Sequence, residues 1–193
     1  LWNGMKTSGD NFSLQGKHYV AVVRNDPAYV VIYNKNTIVD NGLDDPAELF
    51  EKGEWNWDTF TDMCVEFTDA SKEKYALDGW YYEKALQQSS GVPLIGIEDG
   101  QLVNNISDPT IGKAQNMMYE LQKNKVVYPK NENSWKLRGD VVGNGIGSGL
   151  TLFYPIGLWA IEDGLDATTA YGDISSGEVM FVPVPCDPDS DIT

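Results

Sequence analysis

The sequence predicts an α/β layered domain. Two observations carry this: β-branched and aromatic runs of four to six residues read as strands, and capped helical segments alternate with them along the chain. Hydrophobic residues are 41% of 193 and charged residues 22%, so there is material for a packed core. The length suits one domain, or two small lobes.

Residues 17–33 read as extended. Val20, Val22 and Val23 come first, Asn25-Asp26-Pro27 turns, and Tyr29-Val30-Val31-Ile32-Tyr33 follows. Asn34-Lys35-Asn36 then opens a polar connection. Asp45-Pro46-Ala47-Glu48 supplies an N-cap, an N1 proline and a capping-box glutamate, and Gly53 ends that helix early. Asn56 caps a second helix, whose Trp57, Phe60, Cys64 and Phe67 fall on one face. Cys64 is therefore read as a small core residue.

Tyr75-Ala76-Leu77 reads as a short strand, followed by Trp80-Tyr81-Tyr82 and a helix that ends near Gly91. Leu94–Val103 reads as a hairpin turned at Asp99-Gly100. Asp108-Pro109 opens a helix with Ile111, Ala114, Met117, Met118 and Leu121 on one face, stopping near Asn124. Asn131–Gly149 reads as a polar, glycine-rich loop and Leu150–Tyr154 as a buried strand. A helix is expected from Pro155 or Gly157 to Gly164, and a last strand at Val179–Pro183.

Several chemistries are excluded or weakened. Lys and Arg total 14 against 29 Asp and Glu, a formal charge of −15, which opposes nucleic acid and anionic membrane surfaces as partners. No apolar run is long enough to span a bilayer. One histidine, His18, leaves no basis for a His-containing triad or metal site, and Cys64 and Cys186 lie too far apart in sequence for a CxxC motif. Neither a catalytic residue, a cofactor nor a metal is expected. From Gly143 the glycine run carries Ser148 where the dinucleotide fingerprint needs a sixth-position glycine. The paired acids Asp44/Asp45, Glu98/Asp99 and Glu162/Asp163 sit beside turns or helix ends, as caps and solvated carboxylates do. Asp187–Asp191 alternates as a calcium loop would, but Pro188 interrupts it.

The remaining signal is aromatic: 6 Trp, 10 Tyr and 6 Phe, several of them outside the helical core stripes. Adjacent Trp80, Tyr81 and Tyr82 cannot all face one core, Trp135 lies in a polar stretch, and Trp159 follows a glycine at a strand end. Aromatic faces beside polar groups suit sugar rings, which offer flat C–H patches ringed by hydroxyls.

The order of motifs resembles a family. Gly16-Lys17-His18-Tyr19-Val20, Val31-Ile32-Tyr33-Asn34-Lys35, Asn41-Gly42-Leu43-Asp44-Asp45-Pro46 and Gly53-Glu54-Trp55-Asn56-Trp57-Asp58-Thr59-Phe60 are similar to the sugar-capturing extracellular solute-binding proteins of ABC transporters. Tyr75-Ala76-Leu77, Asn105 with Asp108-Pro109, Gly157-Leu158-Trp159-Ala160 and Val182-Pro183-Val184-Pro185 extend the match. Just before Tyr154 the family's usual "F-x-x-G-k-A-A-M" pattern is replaced by the glycine run.

The resemblance implies a type II periplasmic-binding-protein-like lobe, a mixed sheet flanked by helices, in a protein that closes on its ligand like a hinged trap. Residues 1–193 would then be an excised fragment, with 34–149 the core of the second lobe. Residues 1–33 and 150–193 would cross towards the first lobe, Val20–Tyr33 and Leu150–Tyr154 being the crossings themselves. It also implies carbohydrate capture without turnover, permease subunits as partners of the full-length protein, and an extracellular, lipid-anchored or periplasmic location. Trp159, Trp80, Tyr81 and Tyr82 are implied as sugar-stacking positions, with Tyr33 and Asn34 near the hinge and Trp135 as a further candidate. The readings from other classes are a glycoside hydrolase domain and a cell-surface adhesion module.

Overall fold

Five consecutive residues, Val30–Asn34, are buried, and they form strand β3 of a sheet closed on both faces. The computed structural model describes residues 13–19, 28–79, 81–129, 144–157 and 171–190. In chain order the elements are β1 (Ser13–Leu14), β2 (Lys17–His18), β3, α1 (Lys35–Asp40), α2 (Pro46–Glu51) and α3 (Trp57–Phe67). A 3₁₀ turn at Ala70–Lys72 follows, then β4 (Tyr75–Leu77), α4 (Tyr82–Gln88), β5 (Ile95–Glu98), β6 (Gln101–Asn104) and α5 (Pro109–Lys123). The last are α6 (Asn144–Gly147), β7 (Thr151–Ile156) and β8 (Val179–Pro183).

The main sheet runs β4-β7-β3-β8. β4 is parallel to β7, while β3 is antiparallel to both β7 and β8, so the sheet is mixed. The pleat sorts side chains by period two. Val31, Tyr33, Phe153 and Val182 join Trp55, Phe60, Cys64, Phe67 and Leu121 on one face. Val30, Ile32, Tyr154, Ile156 and Val179 join Ile146 and Tyr171 on the other. Phe153 is the ring at the centre of the first core, stacked on Phe60 at 5.2 Å and edge-on to Trp55 at 5.5 Å and Tyr33 at 6.5 Å.

Local signals explain most of the helices. Asp45 accepts from the Ala47 amide at 3.0 Å with Pro46 in the first turn, and Asn56 accepts from the Asp58 and Thr59 amides. Asp108 caps α5 by accepting from the Thr110 amide at 2.8 Å. Burial alone pushes the Cys64 thiol well up, as a core cysteine requires. The β5–β6 hairpin forms its own two-stranded sheet, turned through Asp99 and Gly100 at φ 50 and 78. Its Ile95, Ile97 and Leu102 are 68%, 73% and 77% exposed.

Three expectations are corrected. Asn34-Lys35-Asn36 opens a helix rather than a polar connection, because the Asn34 side chain caps α1 through the Asn36 and Thr37 amides. Part of the glycine-rich stretch is also helical: Ile146 is fully buried under the sheet, and the Leu150 amide donates to Gly145 O at 2.9 Å. Pro155 does not start a helix. It stays in β7 opposite Val31, beyond Phe153, the last β7 residue that β4 pairs, so it sits where β7 is partnered on one side. The rest of the helix expected before Gly164, and the strand at 20–23, lie outside the described residues. The extended segments Tyr29–Tyr33 and Leu150–Tyr154 are neighbours in space, as expected, through the β3–β7 ladder.

Replacing Phe153 by alanine is expected to destabilise the fold by about 3–5 kcal/mol, from lost burial plus the cavity left among rigid rings. Urea unfolding of F153A beside V65A, at an exposed position of α3, measures it; equal small losses in both would contradict this core.

Candidate functional site

The register brings one end of the sheet together. β3 opposes the other three strands, so its N-terminal end lies beside the C-terminal ends of β4, β7 and β8; Val30 pairs with both Ile156 and Pro183. At this end sit Tyr29 before β3, Asp78-Gly79 and Tyr81 after β4, and Gly157 after β7. Tyr81 is 36% exposed, and its ring leans on that of Tyr29 at 5.8 Å and 33°. Lys84 Nζ stands 5.9 Å from the Tyr29 ring centroid, a cation–π distance.

Beneath Tyr81 the chain is tight. Gly79 has φ +96 and lies against the Tyr154 ring, so a Cβ there would fall 2.9 Å from Tyr154 Cζ. Asp78 is buried, and its Oδ1 accepts from the Gly79 amide at 2.7 Å. Burial first, then the Asp78 carboxylate and the Tyr171 and Tyr81 phenols, push the Tyr154 hydroxyl well up. Tyr171, 6.3 Å from Tyr154 between ring centroids, is pushed up to about 12 by burial. Asp78, Tyr154 and Tyr171 are thus buried support beneath this end, and Tyr81 is its accessible aromatic face, tilted against Tyr29. Such aromatic faces can stack on the C–H face of a polyhydroxylated molecule.

The other candidates are placed differently. Tyr82 is a core residue: its ring is buried, its hydroxyl donates to Glu83 Oε1 at 3.0 Å and also meets Gln122 Nε2. Tyr33 and Asn34 occupy the opposite end of β3, so the fold does not bring them to Tyr81. The fully buried Tyr33 donates its hydroxyl to Asp45 Oδ1, beside the Lys35–Asp45 ion pair at 3.2 Å. Burial works to raise the Asp45 carboxyl, but hydrogen bonds from Tyr33, the Ala47 amide and Lys35 outweigh it and hold the group below the usual carboxylate range. Asn34 Nδ2 donates to Glu178 Oε1 at 3.0 Å and Tyr171 O at 3.3 Å, tying the β3–α1 corner to the turn before β8. Trp80, Trp135 and Trp159 lie outside the described residues. Tyr29 was missed as the partner of Tyr81, because it reads only as part of a strand, while Tyr154 reads as strand core and is buried as such. Among the described residues no group of three or more His, Cys, Asp and Glu is arranged to hold a metal ion, and no helix is long and apolar enough to cross a membrane.

With this geometry in place, the comparisons with known proteins decide the family. The model of bacterial extracellular solute-binding proteins matches residues 3–183. The chain belongs to this family. Among curated proteins a sequence search gave no match. An ABC transporter solute-binding protein from Agrobacterium vitis S4 with bound D-mannitol is 19% identical, over 93% of this chain and 41% of its own, with a TM-score of 0.59. One from Thermotoga lettingae TMO bound with alpha-D-tagatose is 19% identical over 83% and 40%, TM-score 0.61. The binding protein from B. animalis subsp. lactis Bl-04 in complex with beta-1,6-galactobiose is 15% identical over 95% and 42%, TM-score 0.63. These likenesses establish the periplasmic-binding-protein fold, and the chain spans about two fifths of the length of each solved relative.

Two measurements check this local chemistry. Gly79→Ala is expected to cost about 1–3 kcal/mol, from the positive φ and the clash with Tyr154, and Tyr154→Leu in the same chain should recover part of it. Asp45, lowered in the folded state, contributes stability that is present above its unfolded value of 3.8 and lost as pH falls through the folded value. Urea midpoints followed from pH 6 down to about pH 2 should therefore fall less steeply in D45N than in the parent; parallel curves would refute the Tyr33–Asp45–Lys35 assignment.

Proposed function

We propose that the sheet end carrying Tyr29 and Tyr81 is one wall of a carbohydrate site, and that the protein is the substrate-capture component of an ABC importer. The observation that carries the reading is the tilted Tyr29–Tyr81 pair at this end of the sheet, with Tyr81 36% exposed. A pyranose stacks its C–H face on an aromatic ring. Trp80 follows Gly79 directly in sequence and Trp159 follows Gly157 by two residues, and the family resemblance makes both candidate stacking positions. The family and the sugars named in three similar structures support the same ligand class. Tyr33 and Asn34, at the opposite end of β3, serve the frame of the domain rather than the wall.

In this reading the described sheet is one lobe of a hinged trap, and β3 and β7 lead towards a second lobe that supplies the opposite wall. Capture needs no nucleophile, and the protein releases its sugar unchanged. The full-length protein works outside the cytoplasmic membrane, held there by a lipid anchor or confined to the periplasm, and delivers sugar to permease subunits.

Calorimetric titration with mannitol, tagatose, β-1,6-galactobiose and maltotetraose tests the proposal. The full-length protein is expected to bind at least one of them at micromolar Kd and this chain about a thousandfold more weakly, because losing one wall at about 4 kcal/mol moves micromolar to millimolar. Y81A should weaken binding about tenfold, while Y81F leaves it near the parent. Release of new reducing ends from an oligosaccharide, or equal micromolar affinity in both chains, would overturn it.

A further inference from the structure

The segment that leaves β8, Val184–Ser190, is a strap across the body of the domain. It begins at the same sheet end as Tyr29 and Tyr81, because Pro183 pairs with Val30. Trp55 Nε1 donates to Pro183 O at 2.8 Å, and the Trp57 amide, in the first turn of α3, donates to Cys186 O at 2.9 Å. Pro185 is buried and Val184 packs against the first core. Beyond Cys186 the hold changes character. Lys113 of α5 reaches Asp187 Oδ2 at 3.3 Å and Asp189 Oδ2 at 2.5 Å. Asp187 is only 5% exposed at its side chain and folds the chain back by accepting the Asp189 amide on Oδ1 at 3.0 Å and the Ser190 amide on its backbone carbonyl at 2.9 Å.

We propose that Lys113 is a latch that holds this strap in one of two arrangements, clipped and released, and so sets the position of the sheet end that bears the candidate site. Beyond Cys186 the clip is a single ammonium that is itself 47% exposed, so salt and substitution reach it directly. Removing that ammonium leaves the buried Asp187 carboxylate without its counter-charge, which drives the carboxylate to water and the strap with it. Ser190 Oγ adds to the drive: it is buried with no hydrogen-bond partner among the described residues, a cost that release removes. The coupling runs through the ladder, since the strap's first residue follows Pro183, which pairs with Val30 next to Tyr29.

Amide hydrogen exchange in the intact chain tests the latch. In K113M the Asp189, Ser190 and Trp57 amides, which report the strap, should exchange at least tenfold faster, while Ile32 in β3 stays unchanged. K113R should restore the parent rates, and 1 M salt should reproduce part of the effect in the parent. Unchanged strap rates in K113M, or an equal rise at Ile32, would overturn the proposal. The link to the site rests on the carbohydrate reading above and has its own arm. In the full-length protein K113M should change the dissociation rate of bound sugar at least threefold; an unchanged rate overturns the coupling. A full-length parent that binds no sugar counts against the functional reading, and the exchange arm still judges the latch.

Discussion

β3 is paired on both edges and buried on both faces, and the other elements are placed by it. Val31 and Tyr33 face the core built from α3 and Phe153, while Val30 and Ile32 face the core built from Ile146 and Tyr171. A strand in this position cannot shift by one residue without exchanging its two faces, so its register is fixed by burial. That register aligns the start of β3 with the ends of β4, β7 and β8, and the candidate site exists because four chain segments meet there.

The fold was largely legible because its signals are local. The caps at Asp45, Asn56 and Asp108, the β-branched run at Val30–Ile32 and the Asp99-Gly100 turn each act within a few residues. What the sequence hid was decided at long range. Asn34 is the exception, a local cap on the Asn36 and Thr37 amides, whereas Ile146 reads as part of a glycine linker until the sheet covers it. Pro155 looks like a break because nothing nearby in sequence tells that β4 has stopped pairing before it.

The candidate site was only partly legible. Aromatic density outside the helical stripes pointed to stacking surfaces, and the structure leaves Tyr81 partly exposed. Its neighbour Tyr82 is buried, since one step along a helix turns a side chain by about 100° and carries this one into the core. Tyr33 carries a strand's alternation and a hydroxyl used by Asp45, so its aromatic character serves packing. Tyr154 and Asp78 could not be paired from sequence, because their approach depends on β4 lying parallel beside β7 and on Gly79 having no side chain.

The β3 ladder also has a history during synthesis. Val31 waits for Pro155 and then Val182, partners that lie about 120 and 150 residues further along the chain. At ribosomal speeds of about 5–20 residues per second, that is an interval of roughly 6–25 s in which Val30–Tyr33 has left the tunnel with neither neighbour made. An apolar, β-branched segment with two open edges is a substrate for chaperones and for pairing with other nascent chains. The α2–α3 layer can assemble early from near neighbours, but the sheet it covers closes only after β8 emerges. Yield in a heterologous host should therefore respond to translation rate and temperature more than to the stability of the finished fold.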